Sequence, residues 1–496
     1  MKVFLTPKDY QKKAVEFSLS REGSIIAIET GGGKTLTMIF EAFFRLKKGD
    51  VDKVIQVCTK KSKHSFASDY KEHTDYYKEI LVINDVEDFR VFFNDNNFKI
   101  AVVQYETFRN IPADFWETFL KKYRTLMQFD EYHKLKQPMT ELAYNDDGRI
   151  IEQVKKQRTM ICSLVYRLRP HIKYLTGYTA TPITSSISDA FWLSTLTKPG
   201  IFSDSLLTFF NSFVRYYCYP KKIGRLKKLC TDVKGYSNLE ILKDKIKSIC
   251  FSHFPKKDIK FIPAEVGINE QDYADYLLAV RGGLDKYKAR EVDKETGEVE
   301  DKTFSARMVD AQYVLDNSQG KKNMLDILID QTVQAGVLVY CHYYNTLDVV
   351  KSVLDKKGVD FRVIDGTTSD RNLEKHMKWF NSNPMNKVVI LSSAGAQSLN
   401  LQSTNNMIFY NLPYTAGGFL QAIGRMIRLG SKYTSFNVYF PMVKDTLDTY
   451  KYTYVGSNAE LLSYLQGNEN LFQGECETFD SYFLREMRKL NLWSKK

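Results

Sequence analysis

Three short stretches of this chain hold residue types that could together hydrolyse a nucleoside triphosphate. The first is Thr30-Gly31-Gly32-Gly33-Lys34-Thr35. Successive glycines let backbone N–H groups close around an anion, a lysine can reach the β and γ phosphates, and a threonine hydroxyl can bind Mg²⁺. The second is Asp130-Glu131-Tyr132-His133. Of two adjacent carboxylates, the first suits a metal and the second can orient or deprotonate water. His133 is placed to sense the γ-phosphate and report it elsewhere. The third is the set Gln421, Gly424, Arg425 and Arg428. At i, i+3, i+4 and i+7 a helix would put both arginines on one face with the glutamine, and paired guanidiniums suit a triphosphate whose charge grows in the transition state.

These groups need elements to hold them. The apolar run Ser24-Ile25-Ile26-Ala27-Ile28 reads as a strand, followed by the glycine turn and a helix starting near Lys34. Ile28 stands where the full phosphate-loop pattern has a small residue. Residues 6–18 read as a helix with Tyr10, Ala14 and Phe17 on one side. Its Gln11 carries an amide that can donate and accept together, as an adenine edge requires. Apolar runs at 53–59, 99–105 and 124–129 read as buried strands of an α/β domain, the last delivering Asp130 at its C-terminal end. That end is where ligands bind in a doubly wound sheet. A strand at 172–177 leads into Tyr178-Thr179-Ala180-Thr181-Pro182. The hydroxyls of Thr179 and Thr181 are candidates to couple the nucleotide site to a neighbouring surface.

Residues 185–330 lose this rhythm and read as mainly helical, with an aromatic stripe at Phe209, Phe210, Phe213, Tyr216 and Tyr217 that suits a core. Lys221, Lys222, Arg225, Lys227 and Lys228 cluster around Gly224, and the charged residues 291–303 read as an exposed loop or hairpin. From Gly336 the α/β alternation returns, with strands at 337–341, 361–364, 387–391, 406–410 and 436–440 and no second phosphate loop. The expected organisation is a nucleotide-binding domain at 1–184, an accessory region at 185–330, and a second α/β domain at 331–496 that ends in a helical extension.

Composition narrows the class. With 43% hydrophobic residues in 496 the chain can bury two sizeable cores. Lys and Arg number 71 against 59 Asp and Glu, a net +12 that suits a polyanionic partner. The 7 cysteines form no CxxC pair, so neither a disulfide framework nor a structural metal is indicated. No apolar run is long enough to span a membrane. A cytoplasmic location is expected, the host cytoplasm if the source is a phage.

These motifs, in this order, resemble the superfamily 2 helicases and translocases. Gln11 matches the adenine-reading glutamine, residues 30–35 motif I, Asp130 to His133 the DExH box, residues 179–182 motif III, and 421–428 motif VI. Lys134-Leu135-Lys136, Leu175-Thr176-Gly177, Ile364-Asp365-Gly366-Thr367-Thr368-Ser369, residues 392–401 and Asp445-Thr446-Leu447-Asp448 look like the Swi/Snf branch. Ala396 and Ser398 depart from that branch's glycines in motif V, and the compact length looks like a phage or viral DNA helicase. The resemblance implies two RecA-like doubly wound domains and a largely helical insert between them. It also implies ATP and Mg²⁺ as cofactors, with Thr35 and Asp130 on the metal. The expected partners are DNA in forked, branched or double-stranded form and proteins of replication or recombination.

The expected activity is a DNA-dependent ATPase that moves on DNA and remodels or unwinds forks and branches. A DExH-type RNA helicase, or a nucleic-acid-binding assembly protein without productive hydrolysis, is the alternative. Candidate DNA contacts are residues 60–64, 104–109 and 392–397. Only residues 402–420 separate motifs V and VI, which leaves no room for a long strand-splitting hairpin there. Any wedge is expected from the 185–330 region, residues 291–303 included.

Overall fold

The computed structural model describes residues 3–29, 31–136, 139–145, 149–154, 160–180, 182, 187–223, 226–254, 258–281, 304–393, 399–427 and 431–465. Thr30, Thr181, Arg428, the loop 291–303, Gly224, Arg225, and Gly395, Ala396 and Ser398 of motif V lie outside these. The chain divides into two compact units, Met1–Phe254 and Pro255–Glu460.

The first unit is built on parallel strands β1 (Gly23–Ile28), β2 (Lys53–Cys58), β3 (Ile80–Ile83), β4 (Ile100–Gln104) and β5 (Thr125–Asp130). A short antiparallel pair follows, β6 (Thr140–Tyr144) with β7 (Ile150–Val154), and then β8 (Tyr174–Thr179) returns to the sheet. Two longer antiparallel strands, β9 (Val214–Ile223) and β10 (Leu226–Tyr236), precede β11 (Cys250–His253). Among the described residues the main sheet has seven strands in the order β11-β1-β8-β5-β2-β4-β3. Every residue of β2 and β5 is buried, as expected of central strands covered on both faces. Helix α1 (Asp9–Leu19), helix α2 (Lys34–Lys48) after the glycine turn, and helix α3 (Lys60–His73) pack around this sheet.

The second unit holds a six-stranded parallel sheet in the order β12-β17-β16-β13-β15-β14. Its strands are β12 (Asp258–Val266), β13 (Val337–Cys341), β14 (Asp360–Ile364), β15 (Lys387–Ser392), β16 (Asn406–Phe409) and β17 (Ser435–Val443). Two apolar clusters flank it, one around Tyr340, Phe409, Phe419 and Phe440, the other around Leu328, Val339, Val350 and Ile408. Lys321 is buried between Asp316 and Asp448, at 3.0 and 2.8 Å, and so ties the Asp445–Asp448 segment to the helix Gln319–Thr332.

The region 185–330 is helical in much of its length but is not one insert. β11 extends the first sheet at its β1 edge and β12 extends the second beside β17, so each unit recruits part of the region. The β9–β10 ribbon is strand where the aromatic spacing at Tyr216 and Tyr217 suggested helix. Tyr216, Cys218 and Pro220 alternate along β9, and consecutive aromatics favour strand as readily as helix.

Candidate active site

The phosphate loop is shaped by space as much as by conformation. Gly31 and Gly33 have φ of 81° and 74°, in the left-handed region that favours glycine. A Cβ on Gly33 would stand 2.6 Å from the Gln11 side-chain nitrogen, and one on Gly32 would stand 2.4 Å from an Ile28 methyl. Gln11 is 3% exposed; its Nε2 donates to the Gly33 carbonyl at 3.2 Å and its Oε1 accepts from the Lys8 amide at 2.8 Å. Helix α1 thus holds the loop directly. Tyr10 adds a second tie, its hydroxyl donating to the Gly32 carbonyl at 2.8 Å while its ring stacks on His253 at 4.0 Å. Sequence alone does not mark Tyr10 or His253 as part of the site: Tyr10 shares a helix side with Ala14 and Phe17, and only the pairing of β11 with β1 brings His253 near.

Lys34 opens α2, and its ammonium donates to the carbonyls of Ile28 and Glu29 at 3.3 and 3.4 Å. Thr35 sits in the same first turn. Asp130, buried at the end of β5, has its carboxyl pushed up to about 6 by burial and then by Glu131, against the opposing pull of Lys34 and a hydrogen bond from Ser62. The Tyr105 hydroxyl donates to the Asp130 carbonyl at 2.7 Å. Ser62 lies in the 60–64 stretch expected to touch DNA, so that stretch also touches the acidic pair.

Glu131 adopts a left-handed backbone (φ 53°), which turns the chain sharply after the strand. His133 Nδ1 lies 3.0 Å from the Thr179 hydroxyl and 3.4 Å from Glu131 Oε2. Burial holds its imidazole below the usual histidine range, with Glu131 pulling the other way. A neutral ring bridging Thr179 and Glu131 joins the end of β8 to the end of β5. Tyr132 supports the same corner from below: its ring covers Gly177, where a Cβ would come within 2.2 Å, and its hydroxyl lies 2.9 Å from that of Thr197.

A buried polar cluster fixes α2 against these strands. Glu41, fully buried, accepts from Gln128 (2.8 Å), Thr176 (2.8 Å) and Tyr178 (2.8 Å), and pairs with Arg45 at 3.3 Å. The lysine of the loop and the strands carrying Asp130 and Thr179 therefore share one scaffold. A lone acid in the apolar run Phe40-Glu41-Ala42-Phe43-Phe44 was the sequence signal for it.

The residues fit a magnesium-bound triphosphate. The loop leaves a cradle that side chains would fill, and a cation beside Asp130 would offset the burial and the Glu131 charge that raise its affinity for a proton.

In the second unit the helix Ala416–Ile423 ends at Gly424, so Gln421 and Arg425 are not carried on one continuous α-helix. Glycine is a poor helix former, and the following turns tighten to Arg425 N–H to Ala422 C=O and Met426 N–H to Ile423 C=O bonds, both i to i−3. Arg425 is 8% exposed, and its carbonyl accepts from the Leu401 amide at 3.1 Å, which joins the ends of motifs V and VI.

Two family profiles match the chain: type III restriction enzyme, res subunit, over residues 4–183, and helicase conserved C-terminal domain over residues 320–430. Together they cover more than half of its length, in the order that the motifs require. Over these residues the chain is similar to superfamily 2 helicases, and among them to proteins of the Swi/Snf-like branch.

One similar protein of Xenopus tropicalis is SWI/SNF-related matrix-associated actin-dependent regulator of chromatin subfamily A-like protein 1. It is 24% identical over 70% of this chain and 36% of its own length. The Caenorhabditis elegans homolog is 24% identical over 96% of this chain and 64% of its own. The chain therefore spans from about a third to under two thirds of these relatives. A protein of Acanthamoeba polyphaga mimivirus, named provisionally as an ATP-dependent RNA helicase, is 21% identical over 98% of this chain and 95% of its own. The SWI2/SNF2 ATPase core of Sulfolobus solfataricus, solved in complex with dsDNA, is 16% identical, with 99% of this chain and 97% of that one covered and a TM-score of 0.39.

Proposed function

We propose that this protein couples Mg²⁺-dependent ATP hydrolysis to movement along duplex DNA, and that it remodels or unwinds forked and branched DNA. The observation that carries the duplex-tracking reading is the chain between motifs V and VI. From Leu401 to Gln421 it forms only β16, the Asn411-Leu412-Pro413 turn and the start of the helix Ala416–Ile423, with no projecting hairpin. A motor without a wedge there follows the backbone of a duplex rather than splitting it over long distances.

Lys34 and the loop N–H groups hold the phosphates, and Thr35 and Asp130 would hold magnesium, which when bound supplies positive charge to the β and γ phosphates. Glu131 orients and deprotonates the attacking water, and His133 and Thr179 relay the state of that corner to the end of β8. Gln11 is assigned to the adenine, with Thr30 completing the loop and Gln421 assisting at the nucleotide. Arg425 and Arg428 are assigned to the transition-state charge. DNA is contacted through phosphates at residues 60–64, 104–109 and 392–397, since a motor must step without reading bases.

The deciding experiment is ATPase activity with duplex DNA, branched DNA and RNA duplexes in parallel. Stimulation by DNA, greatest on branches, is expected. Stimulation by RNA alone would favour the second reading, an RNA helicase, for which the name of the mimivirus relative speaks. Efficient unwinding of long unbranched duplexes would overturn the translocase reading.

A further inference from the structure

The β9–β10 ribbon stands apart from the machinery above. Its two strands pair only with each other among the described residues, in antiparallel register from Val214 opposite Tyr236 to Ile223 opposite Leu226. The base is well anchored. The Ser237 amide donates to the Phe213 carbonyl at 3.0 Å, the Asn238 side chain donates to the Ser212 carbonyl at 2.7 Å, and Phe213 packs on Phe202 and Phe209. Gly235, where a Cβ would meet the Arg215 guanidinium at 2.5 Å, lies beside a bulge that bends the ribbon near this base.

The far end is unusual in charge. The register sets Lys221 opposite Lys228 and Lys222 opposite Lys227, and no acidic residue occurs between Arg215 and Asp232. Like charges directly opposite on a ladder destabilise it, and a two-stranded ribbon is marginal to begin with. Lysines and a proline such as Pro220 do protect exposed strand edges from mispairing. Edge protection, however, is met equally by lysine facing glutamate, which would stabilise the ribbon too. Four lysines paired with one another are explained by a partner that is itself an array of negative charge.

We propose that the far end of this ribbon is a separate nucleic-acid contact, which binds the phosphate backbone of duplex DNA through Lys221, Lys222, Lys227 and Lys228. It rests on the reading of the protein as a DNA translocase.

The test compares wild type, the variant Lys221→Ala/Lys222→Ala/Lys227→Ala/Lys228→Ala, and the charge reversal Lys221→Glu/Lys222→Glu, using fluorescent DNA and RNA duplexes in parallel over a salt series. Each phosphate contact contributes about 0.9 to the slope of log affinity against log salt on B-DNA. The fourfold variant should flatten the slope by up to about 3.6, and the reversal should weaken binding at least about 10-fold at about 100 mM salt. The reversal also creates opposite-charge pairs across the ladder, so its thermal unfolding temperature should hold or rise while affinity falls. A purely protective role predicts the same gain in stability with affinity unchanged, and that outcome overturns the proposal. So does a loss confined to RNA duplexes. Failure of the DNA-translocase reading is seen separately, as wild-type ATPase that DNA does not stimulate.

Discussion

The raised carboxyl of Asp130 gives a prediction that can be worked through. In the unfolded chain this carboxylate titrates near 3.8; in the folded protein burial and Glu131 bring it up to about 6. An acid whose folded value lies above its unfolded one costs stability when ionised: the cost is absent well below pH 3.8, grows as pH rises between the two values, and is complete above about 6. The difference of about 2 units, at 1.36 kcal/mol each, makes the full cost about 3 kcal/mol at neutral pH.

Asp130→Asn removes the charge but keeps an oxygen to accept from Ser62, so about 2–3 kcal/mol of added stability is expected in the nucleotide-free protein. For a unit of roughly 150–250 residues that is an increase of about 4–12 °C in the unfolding temperature. Calorimetry at pH 7.5 and pH 5 would measure it, with the gap between variant and wild type shrinking at the lower pH. Turnover should be lost in the same variant. A variant no more stable than wild type at pH 7.5, or a gap that widens on acidification, would refute the reading of Asp130 as a buried charge that Lys34 and Ser62 only partly offset.

Three further outcomes are expected. Lys34→Ala should abolish nucleotide binding in equilibrium titrations, whereas Glu131→Gln should bind ATP and fail to turn it over; wild-type turnover in the latter would remove Glu131 from the water's path. Arg425→Ala should lower kcat on the order of 10³-fold while changing ATP affinity far less, and a loss of affinity with kcat intact would count against a transition-state role. Gly177→Ala should cost about 1–3 kcal/mol and depress ATPase, because the new methyl meets the immobile Tyr132 ring. Pairing it with Tyr132→Leu should recover part of that stability in a double-mutant cycle, and strict additivity would show that the two residues are not in conflict.

The sequence by itself determined the local chemistry and most of both sheets. The glycine turn can only be a turn, and apolar runs such as Val54 to Cys58, interrupted by Gln56 alone, and Val337 to Cys341 read as covered strands, so β2, β13 and β15 fall where the pattern puts them. Lys34, Asp130 and Glu131 were legible because their spacing to those strand ends is covalent. What depended on distant segments was not legible.

Tertiary pairing sent β11 to one sheet and β12 to the other, and so divided a region that periodicity alone had left as one insert. The pairing of β11 with β1 put His253 against Tyr10, and that of β2 with β5 brought Ser62 to Asp130. Glu41 became a buried junction only when two strands, β5 and β8, supplied three donors to it. The arginine helix failed at Gly424 because helical spacing in sequence says nothing of where the hydrogen bonds tighten. The opposed lysines of the ribbon became visible only through register, since sequence gives the charges along a strand but only the ladder says which of them face each other.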